Sequence, residues 1–200
     1  MSIYQLKPAF QNLLRPSVVW LYQRGATANM VTVLACVVSV MLGLALFVLP
    51  ASRWAFALVP LWMVMRMAFN AVDGMLAREH GQKSALGAYL NELTDVLSDA
   101  ALFLPFALVL PGHPVWLGLV IVLAGLSEFA GALGPTLGAS RRYDGPMGKS
   151  DRAFVFGALG LAVALMPALP DWTAWLMPLT AVLVGWTTVR RVRGALNELS

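Results

Sequence analysis

Long apolar runs alternate along the chain with short breaks that carry proline, glycine or charge, and the runs have helical rather than strand length. They cover about residues 29–49, 54–78, 85–110, 115–138, 153–169 and 172–189. Each is close to the roughly 20 residues that a helix needs to cross a hydrocarbon core. Pro50 closes the first run, Pro111-Gly112-His113-Pro114 separates the third from the fourth, and Pro167 and Pro170 close the fifth. Ahead of them, Ile3, Leu6, Phe10, Leu13, Leu14, Val18 and Leu21 recur at helical spacing, while Lys7, Gln11, Arg15 and Gln23 take other faces. Residues 1–28 thus predict an amphipathic helix, interfacial or packed on the bundle, with a break near Pro16. The expected fold class is an all-α integral membrane protein in one domain over residues 1–200, six transmembrane helices preceded by a cytoplasmic amphipathic helix.

Composition agrees. With 59% hydrophobic and 12% charged residues, a soluble domain would lack the polar surface to stay monomeric in water. The early apolar patch Val18–Tyr22 is short and ends near Arg24, so no cleavable signal peptide is expected. Cys36 is the single cysteine, which excludes an intrachain disulfide and gives thiol chemistry little support. Every Lys and Arg except Arg53 and Arg66 falls in segments that the six runs place on one side of the membrane. The positive-inside rule makes that side, and both termini, cytoplasmic. The net charge of +4 is accounted for by orientation and attraction to anionic lipid or phosphate, without nucleic acid.

The ionisable residues inside the runs change the picture, since each costs about 2.5–3.5 kcal/mol at a span centre and calls for a function. Arg66, Asn70, Asp73 and Ala77 fall within about 60° on the second run. Asn91, Asp95 and Asp99 form an i, i+4, i+8 stripe on the third, with Glu92 beside Asp99. The expected topology puts both stripes near the cytoplasmic mouth, facing each other. Carboxylates and amides without histidine or thiol suit a hard cation, Mg²⁺ or Mn²⁺, which also binds diphosphates. Interhelical polar pairing is the plainer reading, yet Asp73, Glu92, Asp95, Asp99 and Glu128 outnumber the one intramembrane arginine. A small transporter using intramembrane carboxylates is a further alternative, although no internal repeat supports it. Glu128 is expected either to line a cavity or to pair with Arg66.

The segment Asn70-Ala-Val-Asp73-Gly74-Met-Leu-Ala77-Arg78, followed at fixed intervals by Gly87, Asn91 and Asp95, resembles the CDP-alcohol phosphotransferase signature D-x2-D-G-x2-A-R-x8-G-x3-D-x3-D. The spacing holds throughout, with Asn70 and Asn91 in place of the first and third aspartates, as in a bacterial subgroup of that family. Thr27-Ala28-Asn29, leading into Thr32, is similar to the segment that opens the first span in members. The resemblance implies a metal-dependent CDP-alcohol phosphatidyltransferase of phospholipid biosynthesis. It would move a phosphatidyl group from a CDP-alcohol, CDP-diacylglycerol by expectation, to a polar alcohol and release CMP. It further implies one or two Mg²⁺ or Mn²⁺ ions at Asn70, Asp73, Asn91 and Asp95, with Asp99 or Glu92 restoring charge. Asp95 would be the base, and Gly74, Ala77, Arg78 and Gly87 would contact CDP. A homodimer in the inner membrane, with its active site at the cytoplasmic face, completes what the resemblance implies. A catalytically silent relative that binds nucleotide or lipid is the alternative within the same family.

The loop from Ser140 to Arg152 bears on the acceptor. Arg141, Arg142, Lys149 and Arg152 would favour a phosphorylated acceptor such as glycerol 3-phosphate or inositol phosphate. Positive-inside topology alone is the competing explanation, and Asp144 and Asp151 are available to pair with these cations.

Overall fold

The structure, a computed structural model, describes residues 3–50 and 52–200. Among the described residues it is all-helical: α1 Ile3–Gln23, α2 Ala28–Val48, α3 Leu58–Glu79, α4 Ala85–Phe103, α5 Val115–Leu133, α6 Lys149–Leu165 and α7 Leu176–Leu199. Short 3-10 turns at Arg53–Ala57 and Asp171–Trp175 lead into α3 and α7, and others at Leu104–Leu108 and Gly134–Leu137 follow α4 and α5.

Among the described residues, four stretches are long and apolar enough to cross a membrane: Ala28–Val48, Arg53–Glu79, Val115–Leu137 and Asp171–Leu199. The other two expected spans differ from their sequence ranges for local reasons. Helix α4 stops at Phe103 rather than near residue 110, because Pro105 enters a 3-10 turn where it has no N–H to give. It also carries Glu92, Asp95 and Asp99. Helix α6 begins four residues early, at Lys149, and ends at Leu165. Met166 is extended, at φ −101° and ψ 134°, as the residue before a proline prefers. Helix α7 runs ten residues past the expected end at residue 189.

The chain forms two compact units, one of residues up to Val38 with Val64–Asp95, the other of Ser39–Met63 with Val96–Ser200. In the first, Val18, Ala28, Val31, Val72, Met75 and Leu76 make a buried cluster, with Leu14 and Leu21 of α1 packed against it. This inward face carries α1 through Pro16 without the expected break. Ile3, Leu6 and Lys7, part of the expected amphipathic pattern, have side chains outside the described set.

In the second unit, Phe103 stacks on Phe156 at 3.7 Å between centroids, and Phe106 meets Phe56 and Phe156 edge-on, each at 5.3 Å. Such aromatic pairs contribute about 0.5–1.5 kcal/mol each beyond area burial. Gly43 of α2 lies so close to α4 that a Cβ there would sit 2.2 Å from the Ala101 carbonyl oxygen. Small residues permit this backbone approach in membrane bundles. Met41, Leu44, Val122, Phe129, Leu161 and Val182 point outward, an apolar surface that lipid, unlike water, accepts.

Candidate functional site

All of residues 70–95, the two-helix signature, lies in the first unit. Its frame begins where α2 starts. The Thr27 hydroxyl accepts from the Met30 N–H at 3.2 Å, capping that helix. Gln82, between α3 and α4, accepts from the Ala28 N–H at 2.7 Å and donates to the Ala26 carbonyl at 3.4 Å. Asn29 is thereby held against Gly87, where a Cβ would approach its Oδ1 to 2.8 Å. One turn on, the Thr32 hydroxyl lies 2.7 Å from Asp73 Oδ2 and 3.0 Å from the Ala28 carbonyl. Asp73 is buried, so this hydroxyl replaces part of the hydration that the carboxylate has lost.

Gly74 and Arg78 are one turn apart on α3. The guanidinium folds back over the bare glycine, 2.9 Å and 3.0 Å from where a Cβ would stand. This accounts physically for a glycine four residues before an exposed arginine: the bare backbone gives the cation a seat. Asn70 and Asn91 are half-buried on the same stretches of α3 and α4.

Arg66, 4% exposed, reaches from α3 to α4, where one guanidinium nitrogen lies 3.0 Å from the Asp95 carbonyl and 3.3 Å from its Oδ1. At the far end of α3, Glu79 accepts from Arg15 at 2.6 Å and His80 stacks on Tyr22 at 4.1 Å, fastening α1.

Glu92 lies in the first unit, and Asp99 and Glu128 belong to the second. Arg152, 1% exposed, donates to Asp99 Oδ2 at 3.0 Å and to Glu128 Oε1 at 2.9 Å. Arg191, 2% exposed, meets Glu128 Oε2 at 3.2 Å and the Ser127 carbonyl at 2.6 Å, and Arg141 approaches Glu128 Oε2 to 3.9 Å. Ion pairing therefore explains Asp99 and Glu128, contrary to the count of one arginine, because Arg152 and Arg191 come from segments beyond the runs. Arg191 was missed as an interior residue. Its signal is the buried stripe Met177, Thr180, Val184, Thr187, Arg191, Ala195 at helical spacing on α7.

The expected acceptor cations are differently engaged. Arg142 is clamped by Asp144 at 2.8 and 3.1 Å and by Glu198 at 3.0 Å. Hydrogen bonds and charge from Arg142 hold the Asp144 carboxyl below its ordinary range. Burial lowers the affinity of Arg141 for its proton. Lys149 is half-buried at the start of α6.

The oxygen donors of the signature, two carboxylates and two carboxamides without thiolate or imidazole, fit a hard divalent cation. Among the described residues no three of His, Cys, Asp and Glu come together as a ligand cluster, in keeping with a set half made of amides.

The family model for CDP-alcohol phosphatidyltransferase matches residues 26–186. The chain is 45% identical to Inner membrane protein YnbA of Escherichia coli (strain K12), over 98% of this chain and 97% of that one. It is 26% identical to a phosphatidylinositol phosphate synthase of Mycolicibacterium smegmatis, over 96% and 90% of the two chains. Among solved structures it is similar to phosphatidylinositol phosphate synthase (PgsA1) of Mycobacterium tuberculosis in complex with manganese and citrate. The TM-score is 0.72 at 25% identity, covering 90% of this chain and 88% of that one. The same enzyme with CDP-DAG bound matches with TM-score 0.72 and 25% identity, over 90% and 92%. With the family model spanning most of the chain, and the signature seated on α3 and α4, this protein belongs to the CDP-alcohol phosphatidyltransferase family.

Proposed function

We propose that the chain transfers a phosphatidyl group from CDP-diacylglycerol to the hydroxyl of a small polar alcohol, releasing CMP, in the inner membrane. The observation that carries this reading is the arrangement within one unit of buried Asp73 on Thr32, Arg78 over Gly74, and Asp95 on Arg66. Support comes from the M. tuberculosis enzyme, whose structures hold CDP-DAG or manganese, and from the E. coli relative described as an inner membrane protein. Six spans, with α4 and α6 the short ones, both termini and the site at the cytoplasmic face, and a homodimer complete the reading.

Asn70, Asp73, Asn91 and Asp95 are the oxygen ligands assigned to Mg²⁺ or Mn²⁺, whereas Asp99, also expected as a ligand, is paired with Arg152 in the second unit. Such an ion supplies neutralisation of the diphosphate when bound. Arg78, seated on Gly74, adds a cation for the CDP phosphates, and Ala77 and Gly87 are the further residues assigned to the nucleotide. Asp95 accepts the proton of the acceptor hydroxyl, whose oxygen bonds to the phosphorus carrying diacylglycerol. The bond from that phosphorus to the bridging oxygen breaks, and CMP leaves with the electron pair. Arg141, Arg142, Lys149 and Arg152, cations of one segment, are assigned to a phosphorylated acceptor.

The test is CMP release from radiolabelled CDP-diacylglycerol by purified protein with Mg²⁺ or Mn²⁺, against charged and uncharged polar alcohols, resolved by product. Activity lost in D73A and D95N, and greatest with a phosphorylated alcohol, is the expected result. CDP binding without turnover on any acceptor would replace this reading with that of a silent relative. Metal-independent flux of a solute with no nucleotide binding would replace it with that of a carrier.

A further inference from the structure

The second unit has a cavity of about 280 Å³ that shares only Arg142 with the cations assigned to the acceptor. It is lined by Arg142, Asp144, Trp186, Arg190, Arg193 and Asn197. Two features of its charge matter. Asp144 is already neutralised by two hydrogen bonds from Arg142, at 2.8 and 3.1 Å, so the one carboxylate in the lining does not repel an anion. Arg190 and Arg193 are exposed, and among the described residues neither forms an ion pair with a carboxylate. The cavity therefore presents two exposed cations that no carboxylate holds in an ion pair, although Arg190 also acts through space on Asp144.

The face on which they sit has a definite order. At about 100° per residue, Leu179, Val182, Trp186, Arg190, Arg193 and Asn197 fall within about 80° of one another on α7. Leu179, Val182 and Trp186 are 56, 68 and 49% exposed. Along one stripe the helix thus passes from bare aliphatic surface, through a tryptophan, to paired arginines and a carboxamide. Arg193 lies over the Trp186 ring at 5.9 Å, which joins the aromatic and basic levels. Apolar, then aromatic, then cationic is the depth profile of a phospholipid leaflet. Arg191, between the two arginines in sequence, is buried on another face and takes no part.

We propose that this cavity seats the phosphodiester headgroup of an anionic phospholipid, whose acyl chain lies along Leu179 and Val182. A free phosphate shares the headgroup chemistry but gives the exposed apolar half of the stripe nothing to bind. The lipid is a bound companion of α7, separate from donor and acceptor.

Full-length protein in detergent is exchanged with dioleoyl-phosphatidylglycerol, dioleoyl-phosphatidylcholine or inorganic phosphate, and retained adducts are counted by native mass spectrometry. Wild type retains phosphatidylglycerol in preference to phosphatidylcholine, and R190Q/R193Q loses that retention by about tenfold or more while melting at the wild-type temperature. Brominated phosphatidylglycerol quenches an increment of tryptophan fluorescence that W186F lacks. Equal retention by R190Q/R193Q and wild type, or no preference for the anionic lipid, overturns the proposal. So does full displacement by inorganic phosphate together with no Trp186-dependent quenching, which would leave a simple anion site.

Discussion

Arg66 on α3 lies against Asp95 on α4, one nitrogen 3.0 Å from the Asp95 carbonyl and 3.3 Å from its carboxylate. The buried arginine thus fixes both the backbone and the side chain of the residue assigned as base. Removing the cation leaves Asp95 without this partner, while lysine keeps the charge but loses the planar geometry. R66A is expected to lower CMP release by about 10–100-fold and R66K by less, with the variants ranked by the same assay. D95N is expected to cost about 10²–10⁴-fold if Asp95 moves the proton. Wild-type rates in D95N would remove that assignment.

Asn70 and Asn91 give the signature cage half the charge of one with four aspartates. Each amide still offers a carbonyl oxygen, so restoring charge should strengthen cation binding without new geometry. N70D and N91D are expected to bind Mn²⁺ more tightly than wild type, read by calorimetry or electron paramagnetic resonance. Chelation of divalent cations should abolish CMP release by the wild type. Unchanged Mn²⁺ affinity in both variants would place those side chains away from the ion.

Gly74 seats the Arg78 guanidinium, and a methyl there would come within 2.9 Å of it. The neighbour is the far end of a flexible side chain, so the helix tolerates the change while the cation moves. G74A is expected to fold normally and weaken CDP binding several-fold, and G74L to weaken it further. Equilibrium binding of CDP checks this, and equal affinity in G74L and wild type would show that the seat is irrelevant to the nucleotide.

What could be read from the sequence was what local rules write. Fixed spacing placed Asp73, Gly74, Arg78 and Asp95 on two consecutive helices, and apolar length marked α2, α3, α5 and α7. Proline chemistry was legible only in part: Pro167 announced the end of α6, yet its effect on Met166 stopped the helix sooner than the apolar run did. Pairings across the fold were not legible. Arg191 reads as a topology-setting charge and Arg152 as that or as an acceptor cation, because they flank the runs, and only the packing of the second unit brings them to Asp99 and Glu128. Arg66 and Asp95, 29 residues apart, are the exception, since the two facing polar stripes of α3 and α4 contain them both.

The buried cluster of the second unit predicts a stability signature unlike that of the signature residues. Removing Glu128 leaves the buried Arg191 without a carboxylate and Arg152 with Asp99 alone, and removing Asp99 leaves Arg152 to share Glu128 with Arg191; breaking such a buried pair typically costs about 3–5 kcal/mol. E128A is expected to lower the melting temperature strongly, and D99A likewise, whether or not CDP is present. Replacing charges in concert should be milder, because it leaves no orphan. A double variant E128L/R191M melting nearer to wild type than E128A is the expected order, measured by detergent thermal melts. D99A with wild-type stability would show that Arg152 does not depend on it.

Arg142 and Asp144 give a pH dependence whose sign follows from geometry. Hydrogen bonds and charge from Arg142 depress the Asp144 carboxyl in the folded protein. A depressed carboxyl stabilises the fold above its unfolded value, about 3.9, and loses that contribution as pH falls through the lower folded value. The difference in melting temperature between wild type and D144N is therefore expected to stay constant from neutral pH down to about 5 and to shrink below about 4. Because the pair is partly exposed and open to salt, raising ionic strength should shrink the same difference at neutral pH. A difference that grows as the solution is acidified would mean that the proton, rather than the carboxylate, is what the loop stabilises.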